Sequence, residues 1–395
     1  MISPPSHHKE SPFFAADRGA YWRHLRGLGP VVKIEVGNPM LHGYYLTRRD
    51  DVRAALLDPD TFFSPPKTFK LNLFGRPLPQ VPLSCGTRTD HSRYARVLHP
   101  LFSPKALAPH APALRARVST LVDAVAANGH CDATNIADTY ACQALLIVCG
   151  QPADDPKAAR VTQAAVIGDT SGAAELELIN WLNSTLVAEV GNPQRPPGIL
   201  WPLLEGLQSD SDFPLSQLEG VAVILLLFSV AGIEMVAAAI GFMLLHLGQD
   251  PQLQGQLRDD PAQIPAFIEE VLRLEAPGPA IPRVTTREVE IGGVTIPAHS
   301  GVWLALEAAG RENGGDDIST TSNGEIQRQR HWAFGGGMHR CLGMHLARLE
   351  MAAFLTEWLS RIPQFELEPG SVPGIVHKPT GVTHLGSLML RWEAR

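Results

Sequence analysis

The sequence predicts a mainly α-helical fold with small peripheral β-sheets. Three observations carry this. The longest apolar stretch, Val221 to Leu247, has helix length and no two-residue alternation. Ala106 to Val148 is Ala-rich and reads as helical, and helix-period apolar spacing recurs from Pro265 to Leu274 and from Leu346 to Trp358. Strand-like alternation is confined to short runs, such as Val32, Ile34 and Val36, and Val289 to Ile296 around Gly292-Gly293.

Each element has a local reason. Tyr45 and Leu46 extend a small N-terminal sheet that runs within Val31 to Phe63, and Asp50 to Leu56 reads as a helix beside it. The Gly-Gly pair between two short apolar runs is a hairpin turn. Val221–Leu247 could span a membrane by length alone. Glu234 at its middle, the interruptions at Gly232 and Gly241, and the acidic flanks Asp210, Asp212, Glu219 and Asp250 oppose that. A helix apolar all round is then one buried in protein.

Composition excludes several classes. Charged residues make up 18% of 395 residues, and the net charge is −7 with no Lys/Arg-rich run, so a nucleic-acid partner is not expected. The five cysteines, at 85, 131, 142, 149 and 341, are odd in number and widely spaced, which fits neither a disulfide framework nor a zinc site. The first residues carry no apolar signal region. A cytoplasmic protein without a transmembrane anchor is expected, with residues 1–20 as a tail and 21–395 as a single domain.

The chemistry concentrates in Phe334-Gly-Gly-Gly-Met-His-Arg-Cys341-Leu-Gly343. Gly335, Gly336 and Gly337 allow close backbone approach and positive φ. Cys341 stands just before a helical pattern that starts near Leu342. A thiolate is favoured at such a positive helix end. This is a suitable place to hold a sulfur against a large flat cofactor.

The motif resembles the haem-ligating loop of the cytochrome P-450 family, Phe-x-x-Gly-x-x-x-Cys-x-Gly, with Phe334, Gly337, Cys341 and Gly343 in every fixed position. His331-Trp-Ala333 and Leu346-Ala-Arg348 resemble the family's flanking text, and the resemblance extends from Tyr21 to Trp392. It implies the P-450 fold, haem b held by Cys341, and a haem-thiolate monooxygenase. It implies that Phe334, Gly335 and Gly343 line the cofactor. It also implies that Ala231-Gly232-Ile233-Glu234-Met235 crosses the distal face, with Ala231 and Gly232 leaving a groove and Glu234 as the proton-relay acid. Met235 stands where the family has threonine, and a thioether is a weak acceptor and no donor. Glu270 and Arg273 match the family's buried Glu-x-x-Arg pair. The usual third partner of Arg273 is missing from 314–326, which lacks Pro and Phe.

Four cations are candidates for the haem propionates: His339, Arg283, His91 and Arg96. The family's His-x-x-x-Arg pattern places Ala95 after His91, so Arg93 or Arg96 must substitute. Leu227, Val230, Ala231, Ala280, Ile281, Gly381 and Val382 are the expected wall of an apolar substrate pocket. Ser64 to Arg88 and Ile167 to Pro202 are the expected substrate loop and lid. Electrons would come from a ferredoxin and ferredoxin reductase, near Arg340 and Arg348. Because of Met235, a peroxide-driven enzyme stands as an alternative; Met235 together with the altered 314–326 segment leaves a non-catalytic haem sensor as a second.

Overall fold

The computed structural model describes residues 17–34, 43–65, 72–73, 76–77, 81, 83, 85–154, 177, 180–181, 184, 189–209, 212–362, 364–378 and 381–394. Most of the expected tail, much of the substrate loop (Phe69, Leu71 and Phe74 among it), and most of the lid before residue 189 lie outside them. So does the side chain of Val230.

The helices used below are, in chain order, α1 (Arg18–Leu28), α2 (Arg49–Leu57), α3 (Arg88–Leu98), α4 (Ala111–Ala126), α5 (Ala133–Val148), α6 (Gln217–Leu226), α7 (Met235–Gln249), α8 (Ile264–Leu274), α9 (Leu306–Gly314) and α10 (Met344–Arg361). The strands used are β1 (Val31–Ile34), β2 (Gly43–Leu46), β3 (Phe62–Phe63), β4 (His130–Asp132), β5 (Ala280–Thr285), β6 (Val289–Ile291), β7 (Val294–Ile296), β8 (Gly301–Ala305), β9 (Glu366–Leu367), β10 (Ile375–His377), β11 (Thr383–Leu385) and β12 (Met389–Arg391). Backbone contacts group the chain into two compact units.

The first unit comprises Met1–Pro65, Ala262–Cys341 and Val372–Ser387. Its five-stranded sheet has the order β1-β2-β8-β5-β3. The two-residue period of the strands divides its core. Val32, Ile34, Tyr45, Trp303 and Ala305 face Tyr21, Trp22 and Leu25 of α1. Val31, Leu46, Val302 and Leu304 face Val52, Ala55 and Leu56 of α2. α1 starts at Arg18, inside the expected tail, because the Asp17 carboxylate accepts from the Ala20 N–H and caps it. β6 and β7 form the expected hairpin, with Gly292 and Gly293 both at positive φ. β10 and β11 form a second hairpin.

The second unit comprises Pro66–Pro261, Leu342–Ser371 and Leu388–Arg395. Leu114, Val118 and Val122 recur every four residues and give α4 one buried stripe. α5 is buried over most of its circumference from Tyr140 onward. Asp132 caps α5 through the Thr134 N–H and also accepts from the Leu388 N–H. That second bond registers the sheet β9-β12-β4. The Tyr140 ring of α5 meets Phe354 of α10, which stacks on Trp358 of the same helix.

The long apolar run is helical throughout but is not one α-helix. A capping box at Ser216 and Glu219 starts α6. Leu227–Glu234 is π-helical, and α7 continues from Met235. Ala231–Gln249 is apolar and long enough to cross a membrane, yet 72% of that stretch is buried within the protein.

Candidate active site

In the first unit, the cysteine loop is held from both ends. The Cys341 N–H donates to the Phe334 carbonyl at 2.9 Å, and the Gly335 N–H donates to the Trp332 carbonyl at 2.7 Å. Gly335 and Gly337 both have φ of +64°, a left-handed conformation that L side chains rarely adopt. A Cβ on Gly337 would lie 2.3 Å from the Leu56 carbonyl oxygen, so only glycine fits there. Gly337–His339 makes one 3₁₀ turn. Cys341 is exposed, unlike the chain's four other cysteines, all buried. The helix after the loop begins at Met344 rather than near Leu342, with Gly343 as its N-cap. The Cys341 N–H therefore serves the loop, not the helix end.

Arg283, on β5, is 94% buried and its guanidinium bonds only the Pro282 carbonyl, at 2.7 Å, among the described residues. No carboxylate pairs with it there. Burial alone pushes its pKa down to about 10. A buried cation with no anion beside it fits a ligand that carries one. Ala280 and Val382 are buried, and Ile281 is half-buried on β5.

The Glu-x-x-Arg pair of α8 is fully buried. Arg273 Nε lies 3.2 and 3.1 Å from the two Glu270 carboxylate oxygens, and Nη2 lies 2.8 Å from Oε2. The missing third partner is replaced by backbone. The Gly315 and Asp317 carbonyls accept from the guanidinium at 2.8 and 2.7 Å. Gly314 makes room, since a Cβ there would lie 2.7 Å from the guanidinium. Burial pushes the Glu270 carboxyl up. Hydrogen bonds from Arg273 and from the N–H groups of Ser319 and Gln329 outweigh it and hold the carboxyl below its usual range.

In the second unit, the π-helical segment Leu227–Glu234 carries the residues expected on the distal face, and Met235 follows it. Gly232 is required there: a Cβ would lie 2.4 Å from the Leu227 carbonyl oxygen, five residues back, and 3.2 Å from Leu145 of α5. π segments of this kind recur at functional sites. Ala231 is exposed on the segment, Leu227, Gly232 and Met235 are half-buried, and Glu234 is 97% buried.

On α3, His91 is buried and Arg96 exposed. The structure decides against Arg93 as a free cation. Its guanidinium bonds both Glu219 oxygens, at 3.0 and 2.5 Å, and the Pro214 carbonyl at 2.8 Å. The Arg93 hydrogen bonds hold the Glu219 carboxyl down at about 2, against the upward push of burial. Glu219 lies 126 positions away, beyond any local sequence signal. Sequence reasoning also missed the π segment and the buried Glu350 of α10.

A sequence model described as Cytochrome P450 matches residues 202–314 and 319–389. The probable cytochrome P450 127A1 of Sinorhizobium fredii is 30% identical over 88% of this chain and 83% of its own length. The 20-oxo-5-O-mycaminosyltylactone 23-monooxygenase of Streptomyces fradiae is 28% identical over 86% of this chain and 81% of its own. The fold matches CYP109Q5 from Chondromyces apiculatus with a TM-score of 0.82, at 23% identity and 97% coverage of both chains. It matches CalO2 with a TM-score of 0.83, at 23% identity and coverage of 97% and 98%. The fold and the cysteine loop are those of a haem-thiolate oxidoreductase. The chain belongs to the cytochrome P450 family, and it is a haem b monooxygenase.

Proposed function

We propose that this monooxygenase inserts one atom of dioxygen into an apolar small molecule, using electrons from a ferredoxin and its reductase. The observation that carries the reading is the Cys341 loop, where a thiol is offered at the surface of glycine-only backbone and fixed by the bond from its N–H to Phe334. Haem, when bound, supplies the iron that activates dioxygen.

Cys341 would hold the iron. Arg283, a buried cation with no carboxylate partner among the described residues, would take a propionate, with His339, His91 and Arg96 as further cationic partners. Phe334, Gly335 and Gly343 would flank the macrocycle. Ala231 and Gly232, which add almost no side-chain bulk to the π segment, would leave room for dioxygen. Glu234 would hold and pass a proton at its carboxylate. Met235 offers no hydroxyl for that task, so a water or the substrate itself must complete the path. Leu227, Ala280, Ile281 and Val382 would present apolar side chains to the substrate. The cationic Arg340 and Arg348 would meet an acidic electron donor. A cytoplasmic setting fits cysteines that are all free among the described residues.

The test is oxygen consumption with NAD(P)H, ferredoxin and reductase, against turnover with hydrogen peroxide alone. The substrates offered would be apolar molecules first found by displacement of the haem's axial water. Ferredoxin-driven formation of a hydroxylated product supports the reading. Product from peroxide alone, with none from the ferredoxin system, contradicts it.

A further inference from the structure

α8 presents two adjacent acids, Glu269 and Glu270. Glu270 is spent on Arg273. Glu269 is 94% buried beside it, and its Oε2 lies 3.1 Å from Nε2 of His331. The other ring nitrogen of His331, Nδ1, lies 3.2 Å from the Ala333 N–H. A backbone N–H can only donate, so Nδ1 accepts and Nε2 carries the proton that Glu269 accepts. Both faces of the imidazole are thereby assigned, and the ring has one orientation.

That orientation is passed on. The His331 and Phe334 ring centroids lie 6.3 Å apart in a tilted pair, and the Phe334 carbonyl accepts from the Cys341 N–H at 2.9 Å. The four residues from His331 to Phe334 are thus tied to α8 at one end and to the cysteine backbone at the other.

We propose that Glu269 is a positioning residue for the thiolate: through His331 it fixes the Phe334 carbonyl that orients Cys341. This deepens the proposed role of Cys341 and rests on it. A carboxylate at Glu269 is not needed for charge, only as an acceptor, so the neutral amide should serve. Loss of the acceptor frees the ring, loosens the segment and lets sulfur lose its grip as a thiolate.

The test compares wild type, Glu269→Gln, Glu269→Ala and His331→Phe as haem-bound proteins. Two readouts are taken: the spectrum of the reduced carbon-monoxide complex, and deuterium uptake of the peptide spanning 331–341. Glu269→Gln should keep the wild-type thiolate band and uptake. Glu269→Ala and His331→Phe should each convert at least half of the band to the blue-shifted form of a neutral thiol, with several-fold faster exchange in that peptide. The inference is overturned if Glu269→Ala keeps the full thiolate band and wild-type uptake. It is also overturned if Glu269→Gln is as impaired as Glu269→Ala, which would make the carboxylate's charge decisive. If Glu269→Ala fails to bind haem, His331→Phe and Glu269→Gln decide on the same criteria. A wild type without a thiolate band would instead sink the assignment of Cys341 itself.

Discussion

The Arg273 guanidinium is shared between one carboxylate, Glu270, and the backbone carbonyls of Gly315 and Asp317. Arginine suits this because its planar fork reaches acceptors in several directions. Arg273→Ala would leave Glu270 buried without its cation. Breaking a buried pair from one side destabilises by about 3–5 kcal/mol. Arg273→Lys should recover less than half, since a single ammonium cannot reach all three acceptors. Denaturant titration of the three proteins measures this. Equal stability of Arg273→Lys and wild type would contradict the role of the backbone carbonyls.

Arg93 and Glu219 join α3 to the start of the central helix, and the same carboxylate serves the capping box. Folding lowers the Glu219 pKa to about 2, so the pair's contribution is present above the ordinary carboxylate range. It fades as pH falls from about 4.3 toward 2. Arg93 is 39% exposed, so solvent screening keeps the gain to about 1 kcal/mol or less. Arg93→Ala should lower the melting temperature at pH 7, and the deficit should shrink on acidification. A deficit that grows at low pH would contradict the pairing.

Glu350 of α10 is 99% buried, and neither carboxylate oxygen has a hydrogen-bond partner among the described residues. Its backbone carbonyl accepts from the Tyr140 hydroxyl at 3.2 Å. Burial pushes the carboxyl well above its usual range, which favours the protonated acid in the native protein. Folding then binds a proton that the unfolded chain releases above about 4.3. Stability from this site is full below that pH and falls as pH rises toward the native pKa. Glu350→Gln should therefore gain in melting temperature relative to wild type between pH 5 and pH 8. A difference independent of pH would show that Glu350 is ionised or solvated.

Met235 follows Glu234 at the end of the π segment and supplies no hydroxyl. Met235→Thr should raise the ratio of product formed to oxygen consumed, about two-fold or more if proton delivery limits coupling; general acid assistance is commonly larger than that. Product and oxygen measured in the same reaction check it. No gain would assign the proton path to a water or to the substrate.

Much of this was legible in the sequence because the constraints were local. The cysteine loop reads from fixed spacing, because Gly337 has no room for a Cβ beside Leu56. Glu270 and Arg273 read from helical spacing of three. The Gly292-Gly293 hairpin reads from its turn chemistry. The π segment did not read, because Val221–Leu247 is apolar on every side and offers no polar face whose phase would reveal a slip. Arg273's acceptors are backbone carbonyls, which carry no residue identity. Arg93–Glu219 and Glu269–His331 join residues 126 and 62 positions apart. Only the folded chain brings these together.

The central claim is that Cys341 holds haem iron as a thiolate. The reduced carbon-monoxide spectra of wild type and Cys341→Ala test it most directly. Wild type should show the strongly red-shifted Soret band of thiolate-ligated haem, and Cys341→Ala should lose it entirely. The same red-shifted band in Cys341→Ala would contradict the account.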